Sequence, residues 1–291
     1  MLMAVATVLL TASTCQATTR VPRKHTTTTA SVAAQRATAD TIEVMSQKMG
    51  RTIKNVVTVP ASYYADSAKA TTYPVLYLLH GAYGCYSDWS KKKDLHALCD
   101  RYGVIIVNPD GQDSWYWDSP IDPKMQFETY VSSELVSYID SHYRTDARKE
   151  MRAIAGLSMG GHGALWLGFR HPDVFGNIGS MSGGVDITKF PDRWHIQDRI
   201  GKYADNKDTW TAYTVINLVP TIKPGQNITI DDGSEDFFYE VNVNLHNALL
   251  EHKIPHDFTI RPGNHSWNYW CNSLDYQMLF FSKAFKAAKK K

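Results

Sequence analysis

The sequence G-L-S-M-G-G at residues 156–161 constrains this chain more than any other segment. A short run typical of a β-strand precedes it at 152–155, and a run of small residues typical of a helix follows at 163–170. A tight turn between a strand and a helix leaves no room for side chains, which explains the flanking glycines. Ser158 would lie at a helix N-terminus, where backbone N–H groups stabilise developing negative charge. The segment therefore predicts a nucleophilic serine exposed on a sharp turn.

A second segment, H-G-A-Y-G at residues 80–84, follows the continuous apolar run V-L-Y-L-L at 75–79. Such a run is typical of a parallel strand that is buried on both faces. A glycine beside Ala82 allows the backbone to turn inward, so the amides of Ala82 and Met159 are the candidate donors to an oxyanion. His80 is an alternative general base, but its place at the end of the strand favours a structural role in anchoring the loop.

The stretch N-I-T-I-D-D-G-S-E-D-F-F at residues 227–238 holds the candidates for a carboxylate that orients a histidine. We expect a strand to end near Ile230 and a turn at Gly233, and the orienting carboxylate should project from the loop beyond the strand. Asp236 lies in that loop and is the favoured residue. The alternatives in the same stretch are Asp231, Asp232 and Glu235, of which the two aspartates are expected to brace the turn.

The candidate general base is His265, in the loop sequence R-P-G-N-H-S-W just beyond the last expected strand. The carboxyl-terminal edge of a parallel sheet is where active sites gather. The other histidines considered lie in or beside an expected helix at 242–252 or before the last strand, and they are His246, His252 and His256. Ser158, Asp236 and His265 thus form a candidate triad in the order Ser, Asp, His.

Short apolar runs alternate with helical patterns along the chain, which predicts an α/β fold with a mostly parallel central sheet and helices on both faces. The expected strands are 51–59, 75–79, 104–107, 152–155, 178–181, 228–230 and 258–260. The expected helices are 128–143, 163–170 and 242–252. Residues 188–221 are polar, aromatic and irregular, and we expect them to form a cap or a long insertion within one domain at 41–286.

Three segments outside that domain are predicted from composition. The apolar run at the start of residues 1–17 is shorter than the roughly 20 residues that span a bilayer, and it predicts a signal peptide of a secreted or periplasmic protein. A lipid anchor through Cys15 is the weaker alternative. Residues 18–40 are rich in Thr, Ala and Ser and predict a disordered leader, and 287–291 predict a basic tail.

The formal net charge is only +2, which gives no electrostatic argument for nucleic acid or an anionic membrane as a partner. Beyond the predicted signal peptide the cysteines are Cys85, Cys99 and Cys271, an odd number whose spacing matches no zinc site. One disulfide with a free thiol, or three thiols, both fit the sequence. The oligomeric state is left open.

Four motifs together resemble the esterase D branch of the α/β hydrolases: H-G-A-Y-G, G-L-S-M-G-G-H-G-A-L, D-D-G-S-E-D-F-F-Y-E and P-G-N-H-S-W-N-Y-W. That branch includes S-formylglutathione hydrolases, feruloyl and acetyl-xylan esterases, tributyrin-type esterases and mycolyltransferases. The resemblance runs from about residue 53 to 285, with the motifs in family order. It implies an α/β-hydrolase fold and no metal or organic cofactor. It also implies nucleophile Ser158, acid Asp236, base His265 and oxyanion amides at Ala82 and Met159.

The resemblance is closest to secreted bacterial esterases, and it implies an acyl-enzyme mechanism on carboxylic esters. Short-chain acyl, acetyl and feruloyl esters all fit, either as small molecules or linked to polysaccharide. Aromatic residues that are candidates for a substrate pocket are Tyr83, Trp115, Trp117 and Trp267, although tryptophans in a core are equally common. An acyltransferase of the mycolyltransferase type and a catalytically silent carbohydrate-binding relative remain alternatives.

Overall fold

The structure, a computed structural model, describes residues 39–290. Within that range the chain forms one eight-stranded sheet. Its strands are β1 (Ala39–Ser46), β2 (Arg51–Thr58), β3 (Val75–Leu79), β4 (Ile105–Pro109), β5 (Arg152–Leu157), β6 (Asn177–Met181), β7 (Asn227–Gly233) and β8 (Asp257–Arg261). Their order across the sheet is β1-β2-β4-β3-β5-β6-β7-β8. β2 pairs antiparallel with both β1 and β4, and all other neighbours are parallel.

The helices are α1 (Asp88–Lys92), α2 (Leu95–Tyr102), α3 (Phe127–Thr129), α4 (Val136–His142), α5 (Met159–Arg170), α6 (Gln197–Ile200), α7 (Lys207–Ala212), α8 (Tyr239–Glu251) and α9 (Trp267–Ala288). A π-helical segment, Tyr130–Leu135, joins α3 to α4. α4, α5 and α8 pack on one face of the sheet, and α1, α2 and α9 pack on the other. The predicted α/β fold with a mostly parallel sheet and helices on both faces is confirmed.

Strand β3 shows why its sequence is apolar throughout. Val75, Tyr77 and Leu79 enter the core under α5 and α8, whereas Leu76 and Leu78 enter the core under α9. Each of these side chains is at most 1% exposed. Alternate residues of a strand point to opposite faces, so a strand covered on both faces needs apolar residues at every position.

Several predicted boundaries differ from the structure. β1 was not predicted, because an edge strand packs on few neighbours and only Val44 and Ser46 of its residues are buried. Its first two residues, Ala39 and Asp40, fall in the predicted leader. Helix α5 begins four residues before the predicted 163, since its glycines hide the helical pattern. The irregular segment 188–221 contains the short helices α6 and α7.

The predicted signal peptide at 1–17 and the leader up to residue 38 lie outside the described residues, as does Lys291 at the end of the predicted tail. In the part of the chain that the structure describes, no helix is both long and apolar enough to cross a membrane. In the same part, Cys99 and Cys271 are free thiols.

Replacing Leu78 with Ala should lower the free energy of unfolding by about 2–5 kcal/mol, because the deleted methyl groups leave a cavity in the core on the α9 side of the sheet. The measurement is urea denaturation followed by circular dichroism. The matched control is Leu250→Ala on α8, where the side chain is 56% exposed and the change should stay within about 0.5 kcal/mol. Equal losses in the two variants would contradict this assignment of the core.

Candidate active site

Ser158 occupies the turn between β5 and α5. Its backbone angles are φ 55° and ψ −118°, a region that a residue with a side chain rarely adopts. Its amide donates to the Met181 carbonyl oxygen at 2.9 Å, and its own carbonyl accepts from the His162 amide at 3.0 Å. These bonds to β6 and α5 hold the strained turn in place, so the half-buried hydroxyl projects from the carboxyl-terminal edge of the sheet.

The turn is possible only because two glycines bring backbone against backbone. A Cβ on Gly156 would lie 2.4 Å from the Gly160 carbonyl oxygen. A Cβ on Gly160 would lie 2.5 Å from the carbonyl oxygen of His80 and 2.7 Å from that of Leu79. Carbon atoms do not approach backbone oxygens this closely, so the serine turn and the loop after β3 touch through glycine alone.

The structure brings Ser158, His265 and Asp236 together in one chain of hydrogen bonds. His265 Nε2 lies 2.9 Å from Ser158 Oγ, and His265 Nδ1 lies 2.8 Å from Asp236 Oδ2 and 3.0 Å from Oδ1. The Asp236 side chain is 0% exposed, and its Oδ1 also accepts from the Phe238 amide at 2.8 Å. A carboxylate only accepts, so Nδ1 carries the proton and Nε2 is left with a lone pair toward the serine hydroxyl.

The loops that carry Asp236 and His265 are joined by backbone hydrogen bonds. The Ser234 amide donates to the Arg261 carbonyl at 2.9 Å, and the Glu235 amide donates to the Gly263 carbonyl at 2.8 Å. β7 and β8 are parallel neighbours, so both loops emerge at the same edge of the sheet. This pairing fixes the imidazole against the carboxylate before any substrate is present.

The loop after β3 lies against the serine. A Cβ on Gly81 would be 3.3 Å from Ser158 Cβ, and the Tyr83 amide donates to Asp113 Oδ1 at 2.6 Å. Within residues 39–290, neither the Ala82 amide nor the Met159 amide donates a hydrogen bond. Two unpaired N–H groups beside a candidate nucleophile are available to an anionic oxygen.

His80 supports this loop from below. It is 1% exposed, its Nδ1 donates to the Gly81 carbonyl at 2.7 Å, and its Nε2 accepts from the Gly111 amide at 2.8 Å. The Tyr116 hydroxyl donates to the His80 carbonyl at 3.1 Å. Both ring nitrogens are therefore engaged with backbone, and the histidine anchors the loop.

The other carboxylates of the 227–238 stretch do not contact His265. Asp231 accepts from the Tyr269 hydroxyl at 2.5 Å and pairs with Arg261, which ties β7 to β8 and α9. Asp232 is 0% exposed, and its Oδ1 accepts from the Gly233 amide at 2.8 Å. Burial, together with the nearby charge of Asp236, raises the pKa of Asp232 from its ordinary 3.8 to about 8.

The candidate pocket residues separate into two groups. Tyr83 is 48% exposed, and Trp267 is half-buried against Trp89, but Trp115 and Trp117 are 1% and 0% exposed. The expectation that Trp115 and Trp117 line an open pocket is therefore corrected. Positive φ angles at Trp115 and its neighbour Tyr116 turn this loop inward, and the indole N–H groups find acceptors inside the protein.

Two aromatic residues beside the candidate triad were not predicted. Phe237 is 52% exposed, and its ring centroid lies 4.2 Å from that of His265. Trp194 stacks on Phe237 at 5.8 Å. Phe237 directly follows Asp236, so its place beside the imidazole could have been inferred. Trp194 comes from the irregular segment, which carries no periodic signal.

His162, one helical turn after Ser158, is a buried brace. Its Nδ1 donates to the Gly184 carbonyl at 3.0 Å, and its Nε2 accepts from the Trp117 indole at 2.9 Å. Burial lowers the pKa of His162 to about 3, so the ring is neutral. It ties the start of α5 to the loop after β6.

Among the described residues, no group of three or more His, Cys, Asp and Glu side chains is arranged to hold a metal ion.

Replacing Gly160 with Ala should destabilise the protein by about 3 kcal/mol, because the added methyl group requires two backbone carbonyls to move. Helix propensity alone predicts the opposite sign, a gain of about 1 kcal/mol. Urea denaturation measures the change. The control is Gly103→Ala, at a position where φ is 60° and an added Cβ would meet no neighbouring atom. This substitution should lower the free energy of unfolding by only about 1–2 kcal/mol. A stabilised Gly160→Ala variant would contradict the steric argument.

The chain matches the Esterase family, described as "Putative esterase", over residues 46–281. It is 27% identical over 233 residues to an acetyl esterase of Caldicellulosiruptor saccharolyticus, which covers 72% of this chain and 84% of the relative. A solved ferulic acid esterase aligns with a TM-score of 0.73 at 27% identity, covering 86% of this chain and 99% of that chain.

An S-formylglutathione hydrolase from Agrobacterium tumefaciens aligns with a TM-score of 0.73 over 88% of this chain and 98% of that chain. At 20% identity this likeness concerns the fold alone. The resemblance to the esterase D branch is confirmed by these matches. The chain belongs to the esterase family, adopts the α/β-hydrolase fold and is a carboxylic ester hydrolase.

Proposed function

We propose that this chain is a secreted serine esterase in which Ser158 is the nucleophile, His265 the general base and Asp236 the orienting acid. The single observation that carries the proposal is the chain of hydrogen bonds from Ser158 Oγ through His265 to the buried Asp236, at 2.9 and 2.8 Å. These distances suit proton transfer. His265 Nε2 is placed to accept the proton of Ser158 Oγ, and Nδ1 donates a hydrogen bond to Asp236.

The first half-reaction forms an acyl-enzyme. Ser158 Oγ attacks the ester carbonyl carbon while His265 Nε2 takes its proton, and Asp236 stabilises the imidazolium that results. The carbonyl oxygen becomes an oxyanion that accepts from the Ala82 and Met159 amides, each contributing roughly 3 kcal/mol to transition-state stabilisation. When the tetrahedral intermediate collapses, the C–O bond to the alcohol breaks, and His265 gives its proton to the departing alkoxide.

The second half-reaction releases the acid. A water molecule loses a proton to His265 Nε2 as its oxygen attacks the acyl carbonyl, and the same two amides hold the second oxyanion. Collapse breaks the bond to Ser158 Oγ, which recovers its proton from His265. The hydroxyl, the neutral imidazole and the carboxylate are then as they were before the reaction.

The proposed substrates are esters of acetyl, other short acyl or feruloyl groups, including those linked to polysaccharide. Support comes from an acetyl esterase and a ferulic acid esterase, both 27% identical to this chain. The exposed rings of Phe237 and Tyr83 near the candidate triad add apolar surface on which a planar group or a sugar ring can stack. Export through residues 1–17 stays a prediction, which the N-terminal sequence of the protein recovered outside the cytoplasm would test.

Ser158→Ala should remove nearly all ester hydrolysis while leaving the fold intact, because loss of a triad nucleophile costs about a millionfold. The measurement is turnover of p-nitrophenyl acetate, p-nitrophenyl butyrate and methyl ferulate by wild type and variant. The matched control is Ser133→Ala, at an exposed helix position. Residual activity above about a hundredth of wild type would reject Ser158 as nucleophile.

The same assay separates the substrate classes and the competing reaction. A preference for methyl ferulate favours an aromatic acyl pocket, and a preference for the acetyl ester favours a short one. Adding an alcohol acceptor and analysing the products distinguishes hydrolysis from acyl transfer. A predominance of the transferred ester over free acid would assign the chain to acyl transfer instead.

Asp236→Asn should lower kcat by roughly four orders of magnitude, because an amide can donate to Nδ1 and thereby stabilise the wrong imidazole tautomer. Steady-state kinetics on p-nitrophenyl acetate measures the loss. Asp257→Asn makes the same chemical change at an exposed position of β8 and should have little effect. If Asp232→Asn proves more damaging than Asp236→Asn, the acid has been misassigned.

A further inference from the structure

Asp232 presents a buried carboxyl group that the proposed mechanism does not use. It lies next to the end of β7, is 0% exposed, and stands within hydrogen-bonding reach of the Asp236 side chain. Its Oδ1 accepts from the Gly233 amide, but its Oδ2 meets no donor in good geometry among residues 39–290. Two buried carboxyl groups thus lie side by side.

Two adjacent buried carboxylates cannot both be ionised, so one of them holds a proton. Asp236 accepts hydrogen bonds from His265 Nδ1 and from the Phe238 amide, which stabilise its ionised form. Asp232 accepts from one backbone amide only, and the Ser182 hydroxyl within reach of it can donate or accept. The better-supplied carboxylate keeps the charge, so the proton belongs to Asp232.

The other ionisable groups around this site do not change which of the two carboxyl groups holds the proton. Asp231 points to the opposite face of β7. There it forms an ion pair with Arg261, and the two charges neutralise each other. Burial raises the pKa of the Tyr269 hydroxyl well above its usual range, so that group is neutral. Glu235 is exposed to solvent. No described cation is left to compensate an ionised Asp232.

We propose that Asp232 is a positioning residue, a neutral carboxylic acid whose hydroxyl donates to the Asp236 carboxylate and fixes its orientation toward His265. A neutral donor can orient the Asp236 carboxylate and leave its negative charge free to stabilise the imidazolium of His265. Ionised Asp232 would lose the donor and repel Asp236. This inference rests on the proposed function, since it assigns Asp236 as the orienting acid.

The pH dependence of folding stability tests the protonation state of Asp232 without any assay of activity. With its pKa raised from 3.8 to about 8, Asp232 keeps in the folded protein a proton that the unfolded chain releases. Its contribution to stability is therefore complete below the unfolded value and is lost as pH rises through the folded value. Asn cannot ionise, so the Tm of Asp232→Asn minus that of wild type should become steadily more positive between those two pH values.

Infrared difference spectroscopy gives a direct signature. The wild-type spectrum minus that of Asp232→Asn at neutral pH should contain the C=O stretching band of a protonated carboxylic acid. The band should shift in ²H₂O and disappear at alkaline pH. Asp257→Asn, which alters an exposed carboxylate, should produce no such band and serves as the control.

Kinetics test the positioning role. Asn keeps an N–H donor toward Asp236, whereas Asp232→Leu has none and should lose roughly 10- to 100-fold in kcat, the range for one hydrogen bond to a charged group. Asp232→Asn should lose clearly less and should retain its kcat at alkaline pH, where that of wild type declines. Equal losses in the two variants would overturn the positioning role.

The outcomes separate this inference from the proposed function. Absence of the carboxylic acid band, or a Tm difference that does not vary with pH, overturns the neutral Asp232, and both can be read from the Asn variant if Asp232→Leu fails to fold. A fully active Ser158→Ala variant would overturn the proposed function and leave the infrared and stability results unaffected.

Discussion

The first turn of α5 lies directly on the backbone that ends β3, and a hydrogen atom of Gly160 is all that separates them. β3 and β5 are parallel neighbours, so their carboxyl ends deliver the loop after β3 and the serine turn to the same edge of the sheet. This separation places the amides of Ala82 and Met159 beside Ser158, where we propose that they bind an oxyanion. The position of His265 is in turn useful only because the serine is held rigidly at this place.

Much of the site could be predicted from sequence because its signals are local. The turn at Ser158 needs glycine at fixed offsets, and the run at 75–79 is apolar at every position because β3 is covered on both faces. The residues that follow β7 and β8 had to project from the same edge, since both strands are parallel. The sequence therefore narrowed the candidate acid to four residues and the candidate base to five, and the expected positions of the strands favoured one residue in each set.

What could not be predicted depends on contacts between distant segments. Trp115 and Trp117 belong to a polar loop, and their burial follows from positive φ angles and from acceptors supplied by the Trp194 carbonyl and by His162. The edge strand β1 carries too few buried residues to give a pattern. The protonation of Asp232 follows from the arrangement of donors around two carboxyl groups, which no one-dimensional pattern encodes.

The backbone bonds from Ser234 to Arg261 and from Glu235 to Gly263 make the loops after β7 and β8 one mechanical unit. The proposed acid and base lie on that unit, while the proposed nucleophile lies in the turn between β5 and α5. A change in the separation between these two parts of the chain would therefore alter the Ser158–His265 distance, while the imidazole would stay bonded to the Asp236 carboxylate.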